Sequence, residues 1–566
     1  MRKTFALQIF LLLSFASSSQ VTQAWVQRCL TSLHENPVSI KTDPSGNVYI
    51  LGVLNDQTFQ EDYMLVKYNS AGILQWMQSY NGIANRSDRP TALVVDGSGN
   101  AYVTGKSGVT IPNGTSSEIV TIKYNTAGVQ QWIAKFFRAD GLPSEGNAIA
   151  VDVAGNVYVT GSTIVAPLAY DYITIKYDAA GNEQWVRTYD GTANSLDMAK
   201  FIAVDGAGNV YITGQSIGRI TRVIISRLTG YDYVTIKYDA AGNQLWRQIY
   251  NGPGSQHDIP NGMAVDAAGN VYVTGESGNG VNTDYATVKY TTDGLQSWVV
   301  RFNGPANGND AANGIAVDLA GNVSVTGYTD VGGGLSDYAT IRYDPSGIQQ
   351  WVARYNGPAN RTDVAEAIAL DQLGNIYVTG ESQDPFNYDF ATVKYSTTGV
   401  QVWAARYSGP AFGSDRATSI TLYINSGPFL TSATVYVTGG SEGIGTGVDF
   451  ATIKYTQPPV VGDPIFLSQE AVTEKESASY SFSSYPNPFN GNTRLVYSLP
   501  QESRVTIKVY DMQGREVATV INALKTPGVH NEDLNTNKFA KGNYICRMLA
   551  ESSKGKHQET INLVKN

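Results

Sequence analysis

Histidine, cysteine and charged residues are all scarce in this chain, and each shortage removes a class of function. Four His occur in 566 residues: His34, His257, His530 and His557. None stands in the His-Glu spacing that holds a catalytic zinc. The two Cys, Cys29 and Cys546, lie at opposite ends without metal-ligand neighbours, so no disulfide between them and no cysteine metal site is expected. Asp, Glu, Lys and Arg make up only 16% of the residues, and the formal net charge is −9, which argues against an electrostatic nucleic-acid partner. Beyond the first 24 residues no segment is long and apolar enough to span a bilayer. Glycine-rich stretches such as "GESGNG" lead from one strand pattern into another, so a phosphate loop at a helix start is not supported.

The chain is instead rich in glycine (57) and tyrosine (35), the composition of short strands joined by tight turns. Its length exceeds one ordinary core, so several domains or a repeat array are expected. The opening "MRKTFALQIFLLLSFASSSQVTQA" has Arg2 and Lys3, an apolar run to Phe15 and then small polar residues. It reads as a secretory signal over 1–24, with cleavage after Ser18 or Ser19 or, alternatively, after Ala24.

Self-comparison of the chain is informative. The motif D-x-x-G-N-x-Y-[VI]-x-G begins at Asp43, Asp96, Asp152, Asp205, Asp266, Asp318 and Asp371, spaced 52 to 61 residues apart, with Ser324 in place of Tyr in the sixth copy. An eighth copy keeps only "VYVTG" from Val435. A strand ending in "KY" or "RY" closes at Tyr68, Tyr124, Tyr177, Tyr238, Tyr290, Tyr343, Tyr395 and Tyr455. The eight tryptophans, Trp25, Trp76, Trp132, Trp185, Trp246, Trp298, Trp351 and Trp403, fall once per unit. Each is read as a packing wedge between units.

Every unit supplies four short β-branched and aromatic strands, which we name a to d. The a–b and c–d connections (D-A-A-G, T-T-D-G) fit a type I turn followed by a left-handed Gly. A four-stranded antiparallel sheet repeated eight times predicts an all-β fold, an eight-bladed β-propeller over 25–456. Seven blades with one eccentric unit is the alternative, because the last a–b connection has lost D-x-x-G. The chain is cut inside the repeat: its last copy stops at "DFATIKY", and "WVQRC" from Trp25 is a strand d with nothing before it. If Trp25–Cys29 completes the last blade, the ring closes through backbone hydrogen bonds and leaves no open sheet edge.

"DAAGNVYVTGES…DYATVKYTTDGLQSW" resembles the bacterial SBBP-type β-propeller repeat, related in pattern to the NHL repeat. The resemblance specifies the fold and says little of function, since propellers host enzymes, binders and scaffolds alike.

Residues 457–479 read as a linker rich in Pro, Ser and Glu. The segment 480–566 carries 11 basic and 7 acidic residues, net +4, against 26 and 38, net −12, for 25–456. Its "YPNPFN" (Tyr485, Pro486, Asn487 and Pro488 onward), "VYDMQGREV" (with Gly514 and Arg515), "GNYICR" (with Gly542 and Tyr544) and basic end resemble the C-terminal sorting domain of the Por, or type IX, secretion system. That resemblance implies a small C-terminal β-sandwich, a partner in the type IX secretion machinery, and a secreted or outer-membrane cell-surface destination. Cys546 departs from the aromatic or aliphatic residue common there, with consequences expected only for packing.

The candidate chemistry lies in the carboxylates. Asp88, Asp197, Asp258, Asp310, Asp363 and Asp415, with Glu145 in the second copy, recur in the d–a loop, and Asp62, Glu118, Asp171, Asp232, Asp284, Asp337, Asp389 and Asp449 open strand c. Both loop sets emerge on one face of an antiparallel blade. One reading is a site for Ca²⁺ or a cationic ligand. The other is that each acid accepts loop N–H groups and fixes its turn, as once-per-blade recurrence suggests. A specific site is expected where the repeats differ. The b–c loops vary from 9 to 18 residues, the longest being "QSIGRITRVIISRLTGYD" with Arg219, Arg222 and Arg227. Candidate ligand-binding residues are therefore Arg219, Arg222, Arg227, His257, Asp258, Asp310 and Asp363. No catalytic residue, metal or cofactor is assigned, with Ca²⁺ on the acidic face the open alternative. The expected function is binding of an extracellular glycan or protein, or scaffolding, without enzymatic activity. A hydrolase or lyase acting on polysaccharide through the rim acids is the alternative.

Overall fold

The computed structural model describes residues 21–29, 35–55, 60–112, 114–166, 169–191, 196–222, 225–411, 413–426, 431–457, 480–485, 493–526, 528–534, 536, 539–552 and 555–565. Residues 1–20 of the expected signal segment and nearly all of the linker lie outside them. The chain divides into two units, Met1–Ile465 and Phe466–Asn566.

The first unit contains eight four-stranded antiparallel sheets. In the fifth, strands Asp258–Val265, Val271–Gly278, Thr283–Tyr290 and Gln296–Phe302 lie side by side in chain order. Each strand a also contacts the strand a of both neighbouring sheets, from Glu35–Thr42 around to Asp415–Ser426 and back, so the inner strands form a closed ring. The fold is an eight-bladed β-propeller. Each core lies between blades: Tyr338 and Tyr355 of the sixth blade pack with Ala365, Ile376, Val378 and Val393 of the seventh.

The D-x-x-G-N-x-Y motif is a single polar node at the a–b turn. Asp266 Oδ1 accepts the backbone N–H groups of Ala268 and Asn270, and its Oδ2 accepts Asn270 Nδ2 and the Tyr272 hydroxyl, each within 3.0 Å. Gly269 closes the turn at φ 79°, a value only Gly adopts without strain. Burial opposes the charge of Asp266, but these hydrogen bonds outweigh it and hold the carboxyl below its usual range. Where Ser324 replaces Tyr in the sixth blade, Arg342, the unit's one strand-c Arg where most others carry Lys, reaches Asp318 Oδ2 at 2.5 Å.

The G-x-x-x-W spacing joins one blade to the next. Trp298 Nε1 donates to Pro345 O at 3.1 Å in the c–d turn of the following blade, and Lys289 Nζ donates to the same oxygen at 3.0 Å. Gly347 of that turn has φ 84°, and a Cβ there would meet the Trp298 ring at 2.9 Å. The invariant spacing thus fixes a Gly that must be bare for its neighbour's indole to lie against it. Equivalent Trp-to-turn hydrogen bonds run from Trp25, Trp76, Trp132, Trp185, Trp246 and Trp351.

The eighth blade is built from both ends of the unit. Strand Thr22–Cys29 pairs antiparallel with Gly447–Thr456, from Thr22 opposite Thr456 to Cys29 opposite Phe450. Pairing starts at Thr22, so a signal cut after Ala24 would remove three strand residues that a cut after Ser18 or Ser19 leaves in place. Trp25 Nε1 reaches Ser70 O of the first blade at 3.3 Å, and Arg28 binds Asp449 at 2.8 Å. The cut leaves this blade without a c–d turn for Trp403 and Lys394 of the seventh blade to bond. Gln457, just past the last strand, supplies the missing oxygen: its Oε1 accepts Lys394 Nζ at 2.8 Å and Trp403 Nε1 at 3.1 Å. Its Nε2 donates to the Tyr377 hydroxyl and to Ala433 O.

The second unit has a four-stranded sheet (Glu516–Lys525, Ser503–Asp511, Gly542–Ser552, Gly555–Lys565) and a three-stranded one (Ser481–Tyr485, Thr493–Leu499, Gly528–Leu534). Leu495, Tyr497 and Leu499 of one sheet share a core with Val505, Ile507, Val509, Cys546 and Met548 of the other, so the unit is a small sandwich. Cys546 is a core residue whose thiol burial pushes up to about 12.

Candidate binding face and family

Strands a and c begin at the end of each blade opposite the D-x-x-G turns, and their first residues build a second polar layer there. Asp258, Asp310, Asp363 and Asp415 are 0% exposed. Each accepts, through Oδ2, the N–H of the Gly six residues upstream (Gly252, Gly304, Gly357 and Gly409) at 2.5–2.7 Å. Burial raises all four carboxyls against these hydrogen bonds. They clamp their own loops, and Asp258, Asp310 and Asp363 are therefore corrected from ligand-binding candidates to buried loop anchors. Glu145 is also corrected: Ser144 takes the anchor position of the third blade, opposite Thr163, and Glu145 lies one place on. In the first blade Glu35, absent from the sequence reading, takes that position.

A cation from strand d completes the layer in several blades. Arg301 reaches Asp284 Oδ2 at 3.0 Å, Ser277 O at 2.9 Å and the Tyr250 hydroxyl of the preceding blade at 3.1 Å. Arg406 repeats this with Asp389 and Ser382, Arg28 with Asp449, Ser441 and Tyr407, and Lys135 with Glu118. The first, third and fourth blades lack it, with Ser79, Thr188 and Ile249 at the register position of Arg301. The Asn before the loop Gly (Asn81, Asn251, Asn303, Asn356) is Asp190 in the third blade.

The consequence is electrostatic. Burial, then repulsion from Asp190 and Asp197, raises Asp171 to about 6 against the pull of Arg138. Burial, then Asp258, raises Asp232 to about 7. An acid whose folded pKa exceeds its unfolded value of about 3.9 binds more protons when folded, so its contribution to stability is full below that value and is lost as pH rises through the folded pKa. Asp232→Asn is thus expected to raise the melting temperature by a few degrees at pH 8 and by clearly less at pH 5, as thermal unfolding against pH will show. An equal shift at both pH values refutes the assignment.

Loop tips supply the exposed chemistry of this face. Asn279 Oδ1 accepts the N–H groups of Val281 and Asn282, and Asp384 Oδ1 those of Phe386 and Asn387, so two blades present an apolar side chain on the same turn. Val281 is 87%, Phe386 94% and Ile444 77% exposed. The longest b–c segment extends its strands into a hairpin, Val210–Arg222 and Ile225–Tyr238, with Arg219 opposite Leu228, Ile220 opposite Arg227 and Arg222 opposite Ile225. The three arginine side chains lie outside the described residues. His257 is exposed, and its Nδ1 accepts Tyr231 N at 3.2 Å, its ring 5.1 Å from that of Tyr231. It braces the base of the hairpin and makes no pair with Asp258.

Residues 78–111, 144–169, 245–280 and 350–387 match the beta-propeller repeat family, and residues 483–562 match the secretion system C-terminal sorting domain. The chain is an SBBP-type propeller protein with a type IX sorting tail. That tail marks it for export, to the cell surface or beyond. In the sorting domain, Asp511 Oδ1 accepts the N–H groups of Gln513 and Arg515, its Oδ2 accepts Arg515 Nε at 2.8 Å, and Gly514 has φ 79°. This turn shares the propeller's Asp-and-Gly chemistry. The Tyr544 hydroxyl donates to Ala540 O, two residues before Gly542. Tyr485 ends a strand, and Pro486, Asn487 and Pro488 lie outside the described residues.

An uncharacterized WD repeat-containing protein of Acanthamoeba polyphaga mimivirus is 24% identical over 428 residues, 61% of this chain and 29% of that protein. The chain thus spans under a third of that relative's length. Among solved structures the chain is similar to a protein of unknown function from Dyadobacter fermentans (10% identity, 77% of this chain and 99% of that one, TM-score 0.36). It is also similar to the polysaccharide lyase Uly1 (12% identity, 67% and 92%, TM-score 0.37). No helix among the described residues is long and apolar enough to cross a membrane.

Proposed function

We propose that this exported propeller is a binding protein without catalytic activity, recognising an extracellular glycan or protein through the face that carries the b–c and d–a loops. One observation carries the reading. The acids that open strand a, Asp258, Asp310, Asp363 and Asp415, are buried as loop anchors, while the loop tips expose Val281, Phe386 and Ile444 and one blade extends a long hairpin. A general acid or base must reach its substrate within hydrogen-bonding distance, which Asp310 and Asp363 at 0% exposure do not. Variable loops on a rigid scaffold are a usual place for recognition. Outside the eighth blade, the a–b and c–d turns keep nearly one length and offer little variety.

The test is a glycan-array and protein pull-down screen with the mature chain. It is followed by a variant in which residues 217–230 are replaced by the short loop 278–283, and by Phe386→Ala. Affinity for the captured partner should fall at least tenfold in one of them. Unchanged affinity in both, with loss on altering D-x-x-G turns, would place the binding face at the other end of the blades.

A further inference from the structure

We propose that Asp171, Asp190 and Asp197, at the junction of the third and fourth blades, form a Ca²⁺ site that replaces a cation built into several other blades. One carboxylate oxygen from each lies within 4.8 Å of the others. Two oxygens sharing a Ca²⁺ ion at about 2.4 Å can be at most about 4.8 Å apart, and every pair of the three meets that condition. The donor set is all oxygen, without His or Cys, which suits a hard cation and not zinc.

Proximity of acids alone would not single out this junction, since carboxylates recur around the whole face. Two further observations taken together do. Asp171 is only 9% exposed, and its Oδ1, like those of Asp389 and Asp449, has no hydrogen-bond donor among the described residues. The equivalent acids Asp284, Asp389 and Asp449 each bind an arginine through Oδ2. At the place of that arginine stands Thr188, opposite Ile173 as Arg301 is opposite Ala286. The repeat therefore deletes its own cation here and, in the same blade, changes Asn to Asp at position 190. Both changes make the junction more negative. The nearest cation, Arg138, is held by Asp140 at 2.5 Å.

A divalent ion bound there would join strand c of the third blade (Asp171) to strand a of the fourth (Asp197) and to the loop between them. That is the blade carrying the long hairpin, so the ion would stiffen its base. A three-carboxylate site completed by water fits the millimolar affinity of extracellular calcium modules. The site goes beyond the binding function proposed above and does not depend on it.

Calorimetric titration of EDTA-treated, dialysed full chain with CaCl2, alongside thermal unfolding with and without about 5 mM Ca²⁺, tests the assignment. One ion per chain and a rise of several degrees in melting temperature are expected. Asp190→Asn, which restores the Asn of neighbouring loops, and Asp171→Asn should each weaken binding at least tenfold. Thr188→Arg, which returns the missing guanidinium, should weaken it while raising the melting temperature without calcium. Circular dichroism confirms that each variant is folded. An absent calcium response in the parent overturns the proposal. So does a response that survives in Asp190→Asn and Asp171→Asn, or an equal one with Mg²⁺.

Discussion

Deleting residues 22–29 is expected to abolish the stable monomeric propeller. The deletion removes every backbone hydrogen bond on one side of strand Gly447–Thr456 and exposes it as an open edge. It also removes Trp25, which packs 5.8 Å from Tyr436, and Arg28, the cation on Asp449. Leaving Asp449, 0% exposed, without its partner alone costs about 3–5 kcal/mol, a large share of a domain's stability. Size-exclusion chromatography should show oligomers, and the melting temperature should fall by ten degrees or more. Gln457→Ala, a far smaller change, orphans Lys394 and Trp403 and should cost several degrees. A deleted chain that melts like its parent and stays monomeric would mean that the ring is held elsewhere.

Removing residues 480–566 should abolish appearance of the protein at the cell surface or in the medium while leaving the propeller folded. The chain divides into two compact units, and the sandwich has its own core from Leu495 to Leu563. In the native host the truncated chain should accumulate in the periplasm, with the melting temperature of the intact propeller. Fractionation with an antibody against the propeller reads the location, and calorimetry reads the fold. Normal surface display of the truncated chain would refute the role of the tail.

The fold was legible because its constraints recur. Asp, Gly, Asn and Tyr of the a–b turn meet in one hydrogen-bonded node, so the chain repeats them together at fixed offsets. Gly and Trp stand four residues apart because the turn Gly must lie bare against an indole from the adjacent blade. Single events were not legible. Gln457 belongs to no repeat, and its amide replaces a turn carbonyl only because the folded chain brings it to Lys394 and Trp403. In the third blade the acid, Glu145, stands one place past the anchor slot, which Ser144 fills by bonding Thr163. The acid-rich junction at Asp171 is written in the sequence as two unremarkable differences, Thr188 and Asp190. Their meaning depends on which strands are neighbours, and that is a three-dimensional fact.

The strand that closes the ring also sets the order in which the protein can form. Thr22 pairs with Thr456, so the first residues of the propeller wait for nearly its last before they have a partner. Contacts this distant in sequence come late, because the entropy of closing the loop is lost before the contact returns anything. Seven blades can assemble as they are made, but the eighth stays a three-stranded sheet with a bare edge until the two ends meet. Until Thr456 joins Thr22, that bare edge is open to proteases and to pairing with another copy. The residues that follow in the chain are those of the sorting tail, so the latch and the address are completed within one short stretch of synthesis.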